Sequence, residues 1–236
     1  APGLGSALGG GNQEVRYNGG GLRLWNGLAN VGNTNRVLTM AQILNTNGNY
    51  DGLNGPWIGS GTILVRSSGR LTVGGGSAGA FSKFAGLIDL ADSPSGCNLR
   101  INLGSTTNYD LSHLRVDLGT RNGRVSFRTT SANTTVRIGA LLGEGTATRF
   151  HSSEQSAGIP LTWEIGALNL STTFRGTIGE YASGRVGQLV KVGTGTLALS
   201  GNSTYTGFTV VANGVLALIE GGALATRVRT DGLSSA

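Results

Sequence analysis

Charged residues are scarce in this sequence. Asp, Glu, Lys and Arg make up 13% of its 236 residues, about half of the share that is usual in globular proteins. Long amphipathic helices need a charged outer face, so this scarcity argues against them and favours β structure with a Ser, Thr, Asn and Gly surface. Hydrophobic residues reach 38%, which is too many for a disordered chain. The composition therefore predicts a folded, all-β protein.

Cysteine and proline are also rare. The single cysteine, Cys97, can form neither an intramolecular disulfide nor a cysteine-based metal site, and we expect it to be a buried apolar residue. The 4 prolines stand beside 42 glycines without a Gly-X-Y period, which excludes collagen. An extracellular protein without disulfides needs another source of rigidity, and a stack of hydrogen-bonded strands would supply it.

The sequence lacks an apolar run of about 18 residues, so we expect no membrane-spanning helix. Residues 1–12 have neither the charged nor the apolar region of a signal peptide. We interpret them as a linker or N-terminal extension, and we expect residues 13–236 to form one domain. Such a domain would belong to a longer, secreted or surface-exposed chain with further domains.

Lysine is nearly missing, because it occurs only at Lys83 and Lys191, while arginine supplies the rest of the basic residues behind the net charge of +6. The arginines are spread along the chain and never form a run of three. Nucleic-acid-binding domains concentrate basic residues on one patch or helix, so we expect no nucleic-acid partner. A scattered arginine surface could still favour a polymer that carries occasional carboxylates.

Short runs of alternating apolar and polar residues recur along the chain and are typical of half-buried β-strands. Gly, Asn or Ser interrupts them at each end. The runs comprise residues 21–25, 62–65, 70–73, 98–103, 114–118, 124–127, 135–138, 196–199 and 214–218. Residues 35–44 are the best helical window, although a strand with a bulge fits them equally well.

The spacing of these runs indicates repetition. Their centres recur about every 8–12 residues, which fits a sandwich, a barrel or a solenoid. Residues 84–88 and 174–178 share the form Phe-x-Gly-x-Ile, and Trp57 and Trp163 each stand just before an Ile-Gly pair. The Trp precedes the Phe element in both cases, so we interpret the two segments as diverged repeats.

The C-terminal segment carries a more specific pattern. Residues 191–207 read KVGTGTLALSGNSTYTG, and the chain continues to VLAL at residues 215–218. This resembles the autotransporter-associated β-strand repeat, whose pattern is roughly K-x-G-x-G-T-L-x-L-S-G-x-N-T-Y-T-G, then a Thr/Val strand and G-x-L-x-L. The sequence departs from the pattern at Ser203, which separates Asn202 from Thr-Tyr, and at Phe208, where Gly is common.

Two further segments are similar to proteins that carry this repeat. Residues 136–145 resemble their I-G-x-L-x-G element, and residues 163–178 resemble the strand that precedes the repeat. The resemblance implies a right-handed parallel β-helix in a large secreted or surface protein of bacteria, and it brings no catalytic residues. In such a β-solenoid each coil buries Leu, Val and Ile against its neighbours.

The acidic residues do not form a catalytic pattern. Glycoside hydrolysis needs carboxylates that converge on one bond. Asp89 and Asp92 are close in sequence, as are Asp110 and Asp117, but neither pair lies in a recognised hydrolase or lyase motif. We therefore expect no enzyme. Loop oxygens at Asp51, or at Asp89 and Asp92, leave room for a structural calcium ion, the sole cofactor that the sequence admits.

The two histidines also favour structural roles. His113 and His151 have neighbouring serines, but no third residue completes a catalytic triad. Two histidines without a third ligand make a weak metal site. We expect both to be structural or surface residues.

Aromatic residues are few, and their contexts differ. The phenylalanines that lie in strand patterns are predicted to be core residues: Phe84, Phe127, Phe150, Phe174 and Phe208. The tyrosines beside Asn, Asp or Gly are predicted to lie in turns: Tyr17, Tyr50, Tyr109 and Tyr181. Sugar rings stack on aromatic rings while polar side chains bond their hydroxyls, so we predict a carbohydrate site from Trp25, Tyr50, Asp51, Trp57 and Trp163.

Three functions follow from these features. The first is a non-catalytic domain of a secreted enzyme that binds a β-linked plant cell-wall polysaccharide, xylan first, with a fold similar to the β-helical xylan-binding modules. The alternative is a structural or adhesive passenger stalk of a bacterial surface protein. The third is a polysaccharide lyase or hydrolase. Exposed aromatics on one solenoid face would favour the first, and converging acids the third.

Overall fold

The computed structural model describes side chains for residues 57–74, 81, 83–91, 93, 96–131, 133–152, 160–226 and 228–229. It describes the backbone alone for the strand residues 14–24, 35–45 and 50–53. The predicted linker, residues 1–12, lies outside these ranges.

In the described part of the chain, twenty-one β-strands make up the regular structure and there is no helix. In chain order the strands are β1 (Glu14–Leu24), β2 (Asn35–Asn45), β3 (Tyr50–Leu53), β4 (Trp57–Ser67), β5 (Arg70–Val73), β6 (Lys83–Asp89), β7 (Asn98–Gly104), β8 (Asn108–Asp117), β9 (Arg124–Thr129), β10 (Thr134–Leu142), β11 (Arg149–Ser152), β12 (Pro160–Ile165), β13 (Thr172–Phe174), β14 (Thr177–Gly179), β15 (Val186–Lys191), β16 (Thr196–Leu199), β17 (Asn202–Ser203), β18 (Thr209–Val211), β19 (Val215–Leu218), β20 (Ala223–Leu224) and β21 (Val228–Arg229). The all-β prediction is confirmed.

These strands form parallel sheets that run along one axis. The first sheet has ten strands in the order β1-β2-β4-β6-β8-β10-β12-β15-β18-β21, and the second has six in the order β14-β11-β9-β7-β5-β3. A third sheet, β13-β16-β19, and a pair, β17-β20, complete the coils. Each strand pairs in parallel with the equivalent strand of the next coil, so the chain winds as the predicted parallel β-solenoid.

The length of one coil varies along the axis. Side-chain hydrogen bonds between paired residues of adjacent coils join Thr72 to Arg100, 28 positions apart, and Thr162 to Gln188, 26 positions apart. Register shifts within the ladders accommodate the difference, as between Ile138 and Ala140 on β10. A solenoid of this kind tolerates changes at its corners because each coil needs to match only its two neighbours.

The best helical window of the sequence is a strand. Residues 35–44 lie within β2, which pairs with β1 and β4 and shifts its register between Leu38 and Met40. The alternative that a strand with a bulge fits this segment is therefore confirmed. Pairing on both sides of the strand overrides a helical preference that is weak by itself.

Only one of the two sequence echoes lies on the same sheet at both of its occurrences. Trp57 and Trp163 both lie on strands of the first sheet. The Phe-x-Gly-x-Ile segment at residues 84–88 lies within the single strand β6, whereas the segment at 174–178 runs from β13 around a corner into β14. The chain is repetitive, but the Phe-x-Gly-x-Ile echo does not identify its repeat unit.

The core lies inside the coils and is built from alternate residues of each strand. On the first sheet, Val136 of β10 pairs with Trp163 of β12, which pairs with Leu189 of β15, and all three side chains are fully buried. On the second sheet, Val125 and Phe150 continue the same pattern. Burial of one such side chain stabilises the fold by about 1.5–3 kcal/mol, so stacking of apolar rows is the main source of cohesion.

Two corner glycines show how closely the coils approach each other. A Cβ atom on Gly193, whose φ is 70°, would lie 2.0 Å from the backbone oxygen of Gly166 in the preceding coil. A Cβ atom on Gly201 would lie 2.0 Å from the backbone oxygen of Gly176. Side chains cannot fit at these corners, and Gly193 also needs a backbone angle that L-residues rarely adopt.

No helix in the described ranges is long and apolar enough to cross a lipid bilayer.

Candidate functional site

The indole rings of Trp57 and Trp163, two of the predicted sugar-binding residues, face the interior. Trp57 is 1% exposed and packs against Phe81, and Trp163 is 0% exposed and packs against Phe150 and Tyr205. Neither ring can stack on a polysaccharide outside the coils, so the predicted role of these two residues is wrong. Both rings lie on the inward side of their strands, and they are the largest of the fully buried side chains.

The other predicted site residues remain untested. Trp25 lies outside the described residues. Tyr50 and Asp51 lie on β3, where their backbones pair with Leu71 and Thr72 of β5, and the structure does not describe their side chains. A contribution of these three residues to binding stays a prediction.

The remaining aromatics are mostly buried as well. The predicted core positions Phe84, Phe127, Phe150 and Phe174 are confirmed, since each is 0% exposed. Phe208 was predicted to be in the core but is 39% exposed, because it precedes the short strand β18 instead of lying within it. Tyr109 was predicted to lie in a turn but belongs to β8 and is buried. Tyr181 lies in a turn as predicted and is 53% exposed.

The described aspartates hold turns together. A carboxylate oxygen of Asp89, Asp110 or Asp117 accepts a hydrogen bond from the backbone N–H two residues further on, at 2.7–2.9 Å. Hydrogen bonds from Ser112 lower the pKa of Asp110, which keeps this acid ionised at neutral pH. Asp92, the suggested partner of Asp89 at a calcium site, lies outside the described residues. That calcium site stays a prediction.

Three of the four described glutamates are paired with arginine. Arg137 donates to Glu164 in the next coil at 2.7 Å. Arg175 donates to Glu144 at 2.7 Å and also to Glu220, so it bridges three coils. These ion pairs are largely exposed and contribute only about 0–1 kcal/mol each. Their oxygens are engaged between coils, and they do not converge on a cleft.

A buried cation lies at the corner that follows β15. The side chain of Lys191 is 1% exposed, and its ammonium group donates to the backbone oxygens of Val192 at 2.5 Å, Gly193 at 2.8 Å and Asn213 at 3.3 Å. Burial lowers the pKa of this amine. Lys191 thus links two coils at the point where their backbones turn away from the first sheet.

The described arginines are not scattered in space. The outer face of the second sheet carries a row of four residues on consecutive strands, each of which pairs with the next: Arg70, Asn98, Arg124 and Arg149. Arg124 and Arg149 are exposed, and neither forms an ion pair with a described residue. Arginines that are spread along the sequence are therefore neighbours on this sheet, because the coil period brings distant positions side by side.

Beside these two arginines the surface forms a shallow pocket, which we call the arginine groove. Its lining consists of Arg124, Arg149, His151, Thr177, Gly179, Glu180, Tyr181 and Thr204. It encloses about 120 Å³. Pockets that bury a whole small molecule usually measure about 300–1,000 Å³, so the groove can hold one group of a larger ligand.

His151 forms the floor of the groove. Its ring stacks on that of Tyr181 with centroids 5.9 Å apart, and Nδ1–H donates to the backbone oxygen of Ser152 at 2.5 Å. Burial above all, together with the nearby positive charges of Arg124 and Arg149, lowers the pKa of His151 to about 4. The histidine is therefore neutral at pH 7, which agrees with the structural role predicted for it.

Glu180 is the acid in the groove, and it is occupied by structural bonds. Its Oε1 accepts hydrogen bonds from the backbone N–H groups of Gly187 and Thr206 at 2.7 Å and from the Thr206 hydroxyl at 2.8 Å. No described ion pair joins it to Arg124 or Arg149. The groove therefore keeps two guanidinium groups without a counter-ion from the described part of the chain.

Metal ligands do not gather in the described ranges, where no group of three or more His, Cys, Asp or Glu side chains could hold an ion. His113 is remote from the groove, and its Nε2 lies 3.0 Å from the backbone oxygen of Phe81. Cys97 is buried, as predicted. The groove is therefore a described surface with the chemistry to bind a ligand.

Comparison with known proteins identifies the C-terminal coils. Residues 189–218 match the family described as passenger-associated-transport-repeat. The matched segment runs from Leu189 on β15 to Leu218 on β19, and it contains Lys191 and the corner glycine Gly193. No curated protein and no solved structure matches the chain. The similarity to a passenger-type repeat inferred from the sequence is thus confirmed for this segment.

Proposed function

We propose that this chain is a stretch of a passenger stalk, a stiff parallel solenoid that extends a secreted or surface-exposed bacterial protein and performs no catalysis. The observation that carries the proposal is the match of residues 189–218 to the passenger-associated repeat within a continuous stack of parallel coils. The ten-stranded sheet alone spans roughly 43 Å at about 4.8 Å between strands.

The distribution of aromatic rings supports a stalk over a xylan-binding module. A module that stacks on neutral sugars needs several exposed rings on one face. In the described ranges only Tyr181 and Phe208 are exposed aromatics, and the indole rings of Trp57 and Trp163 are internal. Most of the described aromatic rings lie inside the coils, where they pack the core and cannot stack on a glycan.

The state of the acidic residues supports the absence of catalysis. Each described acid accepts a turn hydrogen bond, pairs with arginine or, as Glu180 does, fastens two coils together. A general acid with a raised pKa next to a second, unengaged carboxylate is the usual requirement for glycoside hydrolysis. The described residues offer no such pair.

Stiffness can be tested with a pair of spin labels. Ser60 on β4 and Val228 on β21 are exposed and lie on the first sheet, seven strand spacings or roughly 34 Å apart. Cysteines placed there, with Cys97→Ser removing the native thiol, should give one narrow distance near this value by pulsed electron paramagnetic resonance. A broad distribution would show a flexible chain and would contradict the stalk.

Catalysis can be tested with the same protein. Incubation with xylan, cellulose, mannan and pectin should release neither reducing ends nor unsaturated products. Release of either product, abolished by replacing a single Asp or Glu, would identify an enzyme and overturn the proposal. Retardation by neutral xylan in affinity electrophoresis would favour the xylan-binding function instead.

A further inference from the structure

The arginine groove places two like charges side by side. Arg124 of β9 and Arg149 of β11 are direct partners in the parallel ladder, about 4.8 Å apart along the axis. Like charges at adjacent positions of a sheet destabilise it, and here no described acid forms an ion pair with either arginine. A bound anion would offset this repulsion, and a guanidinium pair is the residue chemistry best suited to carboxylates.

The other walls of the groove suit a sugar ring. Tyr181 presents a ring that is 53% exposed although His151 stacks on it and the Arg185 guanidinium lies 5.9 Å from its centroid, and the exposed part can contact the apolar side of a pyranose. Thr177 and Thr204 also line the groove, and their hydroxyls form no hydrogen bond with described residues. Hydroxyl groups of a sugar could therefore bond to these threonines while the arginines hold an acidic substituent.

The orientation of the groove favours a polymer. Arg70, Asn98, Arg124, Arg149 and Thr177 follow one another across five strands, so this row of polar side chains runs along the solenoid axis. A chain laid along the row would meet a new side chain at every strand. The small volume of the groove agrees with this arrangement, because it admits one substituent at a time.

We propose that the arginine groove binds the carboxylate of a uronic-acid residue in an acidic polysaccharide lying along the second sheet. Arg124 and Arg149 bind the carboxylate, Tyr181 contacts the sugar ring, and Thr177 and Thr204 bond its hydroxyls. This contact would let a stalk adhere to an acidic glycan, and it does not depend on the stalk function itself.

The test uses polygalacturonate as the probe and affinity electrophoresis of the 236-residue protein at low salt. Arg149→Gln removes one guanidinium and should weaken binding about tenfold or more, because a hydrogen bond between charged groups contributes about 1.5–3 kcal/mol. Tyr181→Ala should weaken it about threefold to tenfold. Arg149→Lys keeps the charge but loses the forked donor, so its affinity should lie between those of Arg149→Gln and the unmodified protein.

The matched control is Arg115→Gln, which removes the same charge from an exposed position on the first sheet and should leave binding within about twofold. An equal loss in Arg115→Gln and Arg149→Gln would show a general attraction to positive charge and would overturn the site. Circular dichroism should be unchanged in every variant, since Arg115, Arg149 and Tyr181 are exposed.

Two further polymers define the ligand. Fully methyl-esterified pectin has the same sugar backbone without the carboxylate charge, and it should not bind. If it binds as well as polygalacturonate, the carboxylate is not what the groove recognises. Tighter binding of dextran sulfate through the same two arginines would assign the groove to sulfated polymers and would also overturn the proposal. If none of these polymers binds, the proposed carboxylate site is wrong, whereas the spin-label result on the stalk is unaffected.

Discussion

The ammonium group of Lys191 shows how one residue of the repeat pattern acts. Lys191 is the first residue of the repeat pattern KVGTGTLALSG. In the structure its ammonium group donates hydrogen bonds to the backbone oxygens of Val192 and Gly193 in its own corner and of Asn213 in the corner of the next coil. These oxygens belong to turning backbone and would otherwise lack partners inside the protein. The length of the lysine side chain and its three N–H donors allow it to bond all three oxygens. The sequence alone does not show that a lysine has this structural role.

Replacement of this lysine tests that role. Lys191→Met keeps the length of the side chain but leaves the carbonyl groups without a donor, so we expect the free energy of unfolding to fall by about 2–3 kcal/mol in urea titrations. Lys83→Met is the control, because Lys83 is exposed on β6 and its loss should change stability by less than about 0.5 kcal/mol. Equal unfolding midpoints for the two variants would contradict the role.

A second residue makes stability depend on pH. His151 has a pKa of about 4 in the folded protein and 6.5 as its ordinary value, because it is buried beneath Tyr181 and beside Arg124 and Arg149. Between pH 6.5 and 4, His151 therefore binds a proton in the unfolded chain but not in the folded chain. The free energy of unfolding should fall as pH drops from 6.5 to 4, by up to about 3 kcal/mol.

The measurement is a series of urea titrations between pH 7 and pH 4.5. His151→Gln removes the titrating group, so the slope of stability against pH should become clearly flatter than in the unmodified protein. The same slope in both proteins would show that His151 is not the source of the acid sensitivity.

The glycine corners are the elements that decide how closely coils stack. Gly193→Ala places a methyl group 2.0 Å from the backbone oxygen of Gly166 and imposes a side chain on a backbone with φ of 70°. We expect a loss of about 3 kcal/mol or more in the free energy of unfolding, since backbone strain and a backbone clash act together.

Gly221→Ala separates these two causes. Gly221 has a φ of 83°, but a Cβ atom there would meet nothing within 4 Å, so this variant should show only the cost of the backbone angle, about 1–2 kcal/mol. Chemical denaturation of both variants measures the difference. If Gly221→Ala loses as much stability as Gly193→Ala, close approach of the coils does not explain the corner.

The strands could be predicted from sequence far better than the groove. Alternation such as that at residues 135–138 identifies a half-buried strand by itself, and the KVGTGTLALSG pattern identifies the coils that carry the repeat. Residues that meet across coils depend on a coil length that changes from 28 positions at Thr72 to 26 at Thr162. Without that register, Arg124 and Arg149 appear scattered, although their spacing of roughly one coil was the available signal.

The sequence also could not show whether the tryptophan side chains point into the coils or out of them. Trp163 lies in a run where apolar and polar residues alternate, and the same alternation fits an outward ring on a polar face or an inward ring in the core. The partner side chains, Phe150 and Tyr205, decide between the two, and both lie on other strands or corners. Long-range packing, not local pattern, therefore placed this ring inside.

At the scale of the whole molecule, stability should vary along the axis because each coil contacts only its neighbours. Strands such as β12 and β15 pair on both sides and bury alternate residues completely. β19, β20 and β21 each pair with one described strand, and Val215, Leu218 and Val228 on them are 46–51% exposed. Local opening of these last described coils should therefore require much less free energy than opening of the middle.

Hydrogen exchange followed by mass spectrometry measures this gradient. We expect backbone amides of β19–β21 to exchange at least about tenfold faster than those of β10–β15, with intermediate rates in β16–β18. Lys191→Met should extend the fast region inward to β18, because the lost bond joins the corner after β15 to Asn213. It should leave β7–β9 unchanged, since those strands are several coils away. Uniform protection in both proteins would mean that the solenoid opens as one cooperative unit, and the nearest-neighbour account of its stability would then be wrong.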